Sequence, residues 1–274
     1  MEKIAVIGLG IIGASLARGL KRGGVSVDGF DLHGETLNYA LEMGYIDGVA
    51  DDISLYDCVF LAVPPKATIY ILEGSHFKDN AFVADICGVK QCIESAVYAS
   101  PRNYRYIGLH PMAGKETSGI KSSSATLFNG ANLIITLAPG MDSSALEEAR
   151  RFASLLGFGK IVECSAEEHD KKIALTSQLA HIVSNAYVKS GQVPHCDGFT
   201  GGSFQDMTRI AGVDENMWTE LYMLNRQPIL HELRGLIQEL TVYEKAIEAG
   251  DEAALRDALA CGKAIRKKIK RKND

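Results

Sequence analysis

From residue 3 to about residue 165, short apolar runs alternate with amphipathic segments. The apolar runs are Lys3–Gly8, Val25–Asp31, Asp57–Val63, Ala81–Ile86, Tyr104–Leu109, Asn132–Leu137 and Ile161–Cys164. Each is about four to eight residues long and rich in β-branched and aromatic side chains, as strands are. Between several of them, apolar residues recur at helical spacing, in Ile11–Arg22, Glu35–Met43, Gln91–Ala99 and Ser144–Leu156. Continuous apolar strands separated by helices belong to a sheet covered on both faces. The pattern predicts an α/β Rossmann-like fold, a mostly parallel doubly wound sheet.

After about Ser165 the pattern changes. Ala166–Val188, Phe204–Gly212, Glu215–Ala249 and Glu252–Lys272 read as helices with no convincing strand among them. The expected organisation is a dinucleotide-binding domain over residues 1–165 and an all-α domain over residues 166–274. Leu175, Leu179, Ile182, Val183, Leu221, Leu224, Ile229, Leu230, Leu233, Leu236, Ile237 and Leu240 exceed what a small lone helical domain could hide. Large exposed apolar patches are rare on soluble monomers, and two-fold dimers are the commonest assembly. A homodimer through the C-terminal helices is expected.

Composition narrows the function classes. Lys+Arg number 29 against 34 Asp+Glu, a net charge of −5, which argues against a non-specific nucleic-acid binder. The basic stretch from Lys263 to Lys272 reads as a solvated helix end, where cations are favourable. The six cysteines form no CxxC pair and no Cys/His metal spacing, so no metal is expected. No run approaches the ~18–20 apolar residues of a membrane span, and no signal-peptide pattern opens the chain. A cytoplasmic protein with no membrane partner is the simplest expectation.

The chemistry begins at Gly8-Leu9-Gly10-Ile11-Ile12-Gly13, a GxGxxG turn between the first strand and the first helix. Glycines there allow a tight turn and close approach of backbone to a pyrophosphate, which the helix N-terminus then holds. Asp31, 18 positions past Gly13, closes the second strand and can accept from a ribose hydroxyl. A carboxylate repels a 2′-phosphate and no arginine follows closely, so NAD is favoured over NADP. Gly8, Gly10, Ile11, Ile12, Gly13 and Asp31 are candidate cofactor residues, with Val63 and Gly88.

Three polar clusters are candidates for a substrate site. His110, in Gly108-Leu109-His110-Pro111-Met112-Ala113-Gly114, stands at the end of an apolar strand, where doubly wound sheets bind ligands. Its type titrates near neutrality and suits proton transfer. Ser177 and His181, four apart in Ser177-Gln178-Leu179-Ala180-His181, share a helix face. Arg209, in Asp206-Met207-Thr208-Arg209-Ile210-Ala211, could clamp a carboxylate or form a surface pair with Asp206.

Taken together, these segments resemble the prephenate/arogenate dehydrogenases of tyrosine biosynthesis. The resemblance spans nearly the whole chain and includes Asp85-Ile86-Cys87-Gly88-Val89-Lys90 and Met217-Trp218. It implies a Rossmann domain joined to a helical dimerisation domain and the NAD-dependent oxidative decarboxylation of prephenate to 4-hydroxyphenylpyruvate. Arogenate as the substrate, giving tyrosine directly, is the alternative. A non-catalytic dinucleotide-binding regulator is the reading outside enzymes. The resemblance makes His110 the acceptor of the ring-hydroxyl proton, His181 a substrate contact and Arg209 the carboxylate clamp. It places Glu116 and Trp218 where family members close over the pocket. Two positions depart from the family: Gly88 stands for a frequent serine and Gln178 for the first histidine of an SHLPH-type segment. Family members often carry a C-terminal regulatory domain, for which a chain ending at Asp274 leaves no room.

Overall fold

A computed structural model of the chain describes residues 2–114 and 117–269. Eight strands form one sheet: β1 (Ile4–Ile7), β2 (Val27–Phe30), β3 (Gly48–Val49), β4 (Cys58–Leu61), β5 (Phe82–Asp85), β6 (Arg105–Met112), β7 (Asn132–Thr136) and β8 (Lys160–Cys164). Their order is β3-β2-β1-β4-β5-β6-β7-β8, parallel throughout except for the antiparallel β6–β7 pair. The first five helices are α1 (Ile11–Arg22), α2 (Gly34–Glu42), α3 (Pro65–Gly74), α4 (Gln91–Tyr98) and α5 (Ser143–Leu156). The doubly wound, mostly parallel α/β sheet is therefore as expected. Two elements had no distinct pattern: β3 is only two residues long, and α3 begins on two successive prolines.

Alternation within the strands divides the core between the faces of the sheet. Ile4, Val6, Phe60 and Phe82 pack on one face with Phe152 and Leu156 of α5. Ala5, Ile7, Val59, Leu61 and Val83 face the other way, against Ile93 and Val97 of α4. Phe60 meets Phe152 edge-on at 5.0 Å between centroids, a favoured aromatic geometry.

β6 runs further than its apolar run suggests, and this sets up the site. Pairing with β5 stops at Asp85–Gly108, whereas pairing with β7 continues from Gly108 to Met112. His110 thus lies inside an overhanging strand rather than at its end. Pro111, which lacks an N–H, is tolerated because β6 has only one neighbour there.

Beyond β8 come α6 (Ala166–Ile173), a π-helical stretch (Ala174–Leu179), α7 (Ala180–Tyr187), α8 (Gly202–Thr208) and α9 (Glu215–Leu224). The π stretch sits within the predicted Ala166–Val188 helix, and such stretches occur often at functional sites. The expected continuous helix Glu215–Ala249 is broken at Asn225, and α10 (Arg226–Glu248) begins anew. Pro228 explains part of the break, since proline is accommodated in a helix's first turn but not in its interior. Asn225 explains the rest, because its side chain is engaged elsewhere.

The chain divides into two compact units, Met1–Asn225 and Arg226–Asp274. In the second, α10 and α11 (Glu252–Lys268) are joined by a turn with Gly250 at φ 62° and Asp251 capping α11. Ile237, Leu240 and Ile247 remain exposed along α10, as do Leu259 and Ile265 on α11. Glu116, and the part of the basic stretch beyond Ile269, lie outside the described residues.

At Gly108 the close packing around β6 leaves no space for a side chain. A Cβ there would lie 2.3 Å from Thr136 Oγ1 and 3.1 Å from Lys90 Cδ. Gly108→Ala should cost about 1–3 kcal/mol, the usual range for overpacking a core. Denaturant midpoints would measure this, and adding Thr136→Ala should recover part of the loss.

Candidate active site

The glycine turn fits a dinucleotide pyrophosphate. A Cβ on Gly8, whose φ is +92°, would fall 2.5 Å from the Ala62 carbonyl oxygen and 2.8 Å from Val63 Cγ1. One on Gly13 would fall 1.8 Å from the Gly8 carbonyl oxygen. At Gly10 the space is open to 4 Å, and no side chain caps α1 there. The first N–H groups of α1, on Ile11, Ile12 and Gly13, are therefore available to an anion. Asp31 borders this turn: its carboxylate accepts from Leu9 N at 2.8 Å and His33 N at 2.9 Å. The two backbone bonds fix its orientation and leave further acceptor capacity on each oxygen. These residues and Val63 flank β1 and β4, where the strand order reverses and doubly wound sheets bind their ligands.

His110 lies on the overhang of β6, close to the loop between β5 and α4. A Cβ on Gly88 of that loop would be 3.7 Å from His110 Nε2 and 4.0 Å from Leu221 Cδ2, so the glycine borders the ring. On its other side, His110 Nδ1 lies 2.8 Å from His169 Nε2. His169 Nδ1 lies 2.7 Å from Asp170 Oδ1. The Asp170 carboxylate also accepts from Lys90 N and Gln91 N, each at 2.9 Å, and so caps α4. His169 and Asp170 are buried at 1% and 2% exposure, which makes this chain of groups rigid and dry.

A buried ion pair lies beneath the histidine. Lys90 Nζ and Asp85 Oδ1 are 2.5 Å apart with both side chains at 0% exposure. Asp85 also accepts from Cys87 N at 2.9 Å and from the Tyr106 hydroxyl at 2.7 Å. A buried pair supported in this way persists, but loss of one partner costs about 3–5 kcal/mol. Burial pushes His110 well below the usual histidine value of 6.5, and repulsion from any proton charge shared with His169 and from the Lys90 ammonium acts the same way. Burial also lowers His169, against the bond from Asp170, which raises it. Both rings are thus neutral near pH 7.

The helical residues are tied to this centre by side-chain bonds. Asn225 Nδ2 donates to the Asp170 carbonyl at 2.8 Å and to Gln178 Oε1 at 2.6 Å. Glu220 of α9 accepts from Lys66 N at the start of α3, at 2.8 Å. Ahead of both ties α9 carries Trp218, whose ring packs against His181, tilted by 35° with centroids 4.0 Å apart. Ser177 and His181 do meet, but through the backbone: His181 Nδ1 lies 2.9 Å from the Ser177 carbonyl oxygen. Arg209 follows α8 and is exposed. Its neighbours Met207 and Ala211 are both bonded through their carbonyls to α7, by Ser184 Oγ at 2.7 Å and Asn185 Nδ2 at 3.1 Å. Arg209 is thereby anchored to the helix that carries His181.

His169, Asp170, Lys90 and Asn225 were not among the sequence candidates. Ser165 and Glu168 form a capping-box pattern, with Ser165 Oγ accepting from Glu168 N at 3.1 Å. His169-Asp170 consequently reads as an ordinary helix start. The adjacent His-Asp pair was the one available signal.

Two family models match in tandem. The nucleotide-binding domain of prephenate dehydrogenase matches residues 16–162, and its dimerization domain matches residues 165–261. The chain is 30% identical over 265 residues to the prephenate dehydrogenase of Bacillus subtilis (strain 168), covering 91% of this chain and 71% of that one. Among solved structures, prephenate dehydrogenase from A. aeolicus in complex with hydroxyphenyl propionate and NAD+ aligns with TM-score 0.85 and 28% identity. That match covers 98% of this chain and 99% of the other. Synechocystis arogenate dehydrogenase aligns with TM-score 0.79 and 28% identity, covering 97% of this chain and 99% of that one.

The glycine turn supplies a direct test. Gly13→Ala must open the turn to relieve the contact with Gly8. Titration with NADH, followed by fluorescence, should show affinity reduced at least about tenfold, equivalent to ~1.4 kcal/mol. Unchanged affinity in the folded variant would remove the turn from the binding site.

Proposed function

The chain belongs to the prephenate dehydrogenase family, and on that premise we propose how its residues carry out the NAD-dependent oxidative decarboxylation of prephenate to 4-hydroxyphenylpyruvate. The observation that carries the reading is His110, held neutral on the β6 overhang with Nε2 beside Gly88, at the same carboxyl edge of the sheet as the cofactor turn. NAD, when bound, supplies the acceptor for the hydride lost from the ring carbinol carbon. Gly8, Gly10, Ile11, Ile12 and Gly13 hold its pyrophosphate, Asp31 its ribose, and Val63 and Gly88 line its path along the strand ends.

His110 acts as general base. Its Nε2 takes the proton from the ring hydroxyl as the carbinol becomes a carbonyl. Loss of CO2 then aromatises the ring, and the phenolate oxygen recovers the proton from His110. No net proton leaves the site, so the base needs no route to bulk water. Arg209 binds a substrate carboxylate, with His181, Ser177 and Trp218 as further contacts around the substrate. The 1–165 and 166–274 division places cofactor binding in the first part and most of the substrate contacts in the second. Arogenate is the second reading, favoured by the similarity to the Synechocystis arogenate dehydrogenase. The substrates differ only in an amino group that replaces the side-chain keto group, remote from the ring hydroxyl that His110 deprotonates. The C-terminal helices form a homodimer, a reading supported by the dimerization-domain match and by the apolar stripe on α10. No helix among the described residues is long and apolar enough to cross a membrane. A cytoplasmic location is consistent with that.

NADH formation at 340 nm (the wavelength of the reduced nicotinamide) tests the activity, with prephenate and arogenate offered separately. Flat traces with both would favour the regulator. His110→Asn should lower kcat roughly 10²–10⁴-fold, the range for one acid–base group. The base form is required, and His110 lies well below 6.5, so kcat/KM should hold as pH falls through 6.5 and decline only below it. An acid limb at or above that value would contradict a base held neutral by its surroundings.

Ile237 is 53% exposed on α10 in a single copy. Ile237→Glu should lower dimer content at micromolar concentration, measured by sedimentation velocity, and lower activity with it. An unchanged dimer would place the interface elsewhere.

A further inference from the structure

We propose that His169 and Asp170 are positioning residues that fix the tautomer of His110, leaving its Nε2 lone pair free for the substrate hydroxyl. The proposal rests on the general-base role of His110 and assigns the orienting task that a serine at position 88 would share in relatives. Hydrogen-bond direction along the chain of groups decides the tautomer. Asp170 sits at the amino end of α4 and accepts from Lys90 N and Gln91 N, an environment that favours a carboxylate anion. An anion can only accept, so His169 Nδ1 carries the proton in their 2.7 Å bond. Neutral His169 then presents a bare Nε2. His110 Nδ1, 2.8 Å away, must donate to it. The second nitrogen of neutral His110, Nε2, is left unprotonated on the side that borders Gly88.

The direction is imposed from one end. Reversing it would need a proton on the Asp170 carboxyl, whose two oxygens already face backbone N–H groups. The chain also accounts for the tolerance of glycine at position 88. There is room for a side chain there, since a Cβ would be no closer than 3.7 Å to any atom. The orientation a serine hydroxyl could give from that side is supplied here from the opposite side of the ring. When Nε2 gains the substrate proton, the imidazolium keeps its Nδ1–H bond to His169. His169 in turn keeps its bond to the anion, so no atom has to move. The arrangement follows the logic of an acid–base histidine held by a partner that selects its tautomer.

Imidazole ¹⁵N spectra of the wild-type protein near neutral pH test the tautomer without any variant. His110 should show a pyrrole-type Nδ1 and a pyridine-type Nε2, assigned by comparison with His110→Asn; the opposite pattern overturns the proposal. His169→Leu, which fills similar space without an acceptor, should lower kcat about 10–100-fold with KM for substrate and NAD within about twofold. His169→Gln offers an amide oxygen to His110 Nδ1 and should restore most of that loss. Equal losses in the two variants, or none in either, would reduce His169 to packing. Should His169→Leu fail to fold, the spectrum and the His169→Gln kinetics still decide. NADH formation by the wild type separates failure of this proposal from failure of the activity itself.

Discussion

The Asp170 carboxylate meets the amino end of α4 and the ring of His169 at the same time, and the rest of the site is arranged outward from that contact. Two backbone N–H groups and one imidazole N–H converge on two oxygens, in a place 2% exposed to solvent. Hydrogen bonds to a charged group are worth about 1.5–3 kcal/mol each, more than neutral ones. The same residue's carbonyl receives Asn225, which draws the end of α9 to α6. Helix capping, ring orientation and the seating of a third helix thus share one residue. None of them can be altered alone.

A second constraint lies below it in the sheet. Lys90 spans from the α4 cap to Asp85 on β5, passing the face of Gly108 where no side chain could stand. Its ammonium lies near enough to His110 to oppose protonation there, yet its charge is balanced by Asp85 and so does not call for solvent. The sheet contributes through length as well as charge. Because β6 outruns β5, a histidine can emerge on a rigid strand instead of a loop, over the turn that carries Gly88. Sites on strands keep their geometry more closely than sites on loops.

The sheet was legible because its strands are short, apolar and separated by helices of clear period. Four of the strand–helix junctions carried glycine or proline punctuation, and the GxGxxG turn could be placed on the right one. β3 leaves no signal because two residues show no periodicity, and β6 extends past its apolar run because His110 and Pro111 interrupt that run. The broken helix at Asn225 shows a different limit. Its sequence is helical on both sides, and only the tertiary bonds of Asn225 reveal why the axis stops. His110, His181 and Arg209 could be singled out by type and motif. His169 and Asp170 could not, since a helix-capping pattern explains their residues locally and their partners are some 60 to 80 positions away in His110 and Lys90. Long-range polar pairing leaves no periodic trace.

Gln178 carries one consequence of a broader kind. It takes the place of the first histidine in the SHLPH-type segment that the sequence resembles, is 2% exposed, and joins Asn225 by an amide-to-amide bond of 2.6 Å. An imidazole buried there would bind a proton more readily in the unfolded chain than in the folded one, and each such group makes acid a denaturant. Two histidines, His110 and His169, already carry that liability in this core. An amide has no proton to gain in the relevant range, so the junction of α6, α7 and α9 keeps its bonds when the surroundings acidify. The exchange removes one titrating group from this junction and leaves the imidazoles of His110 and His169.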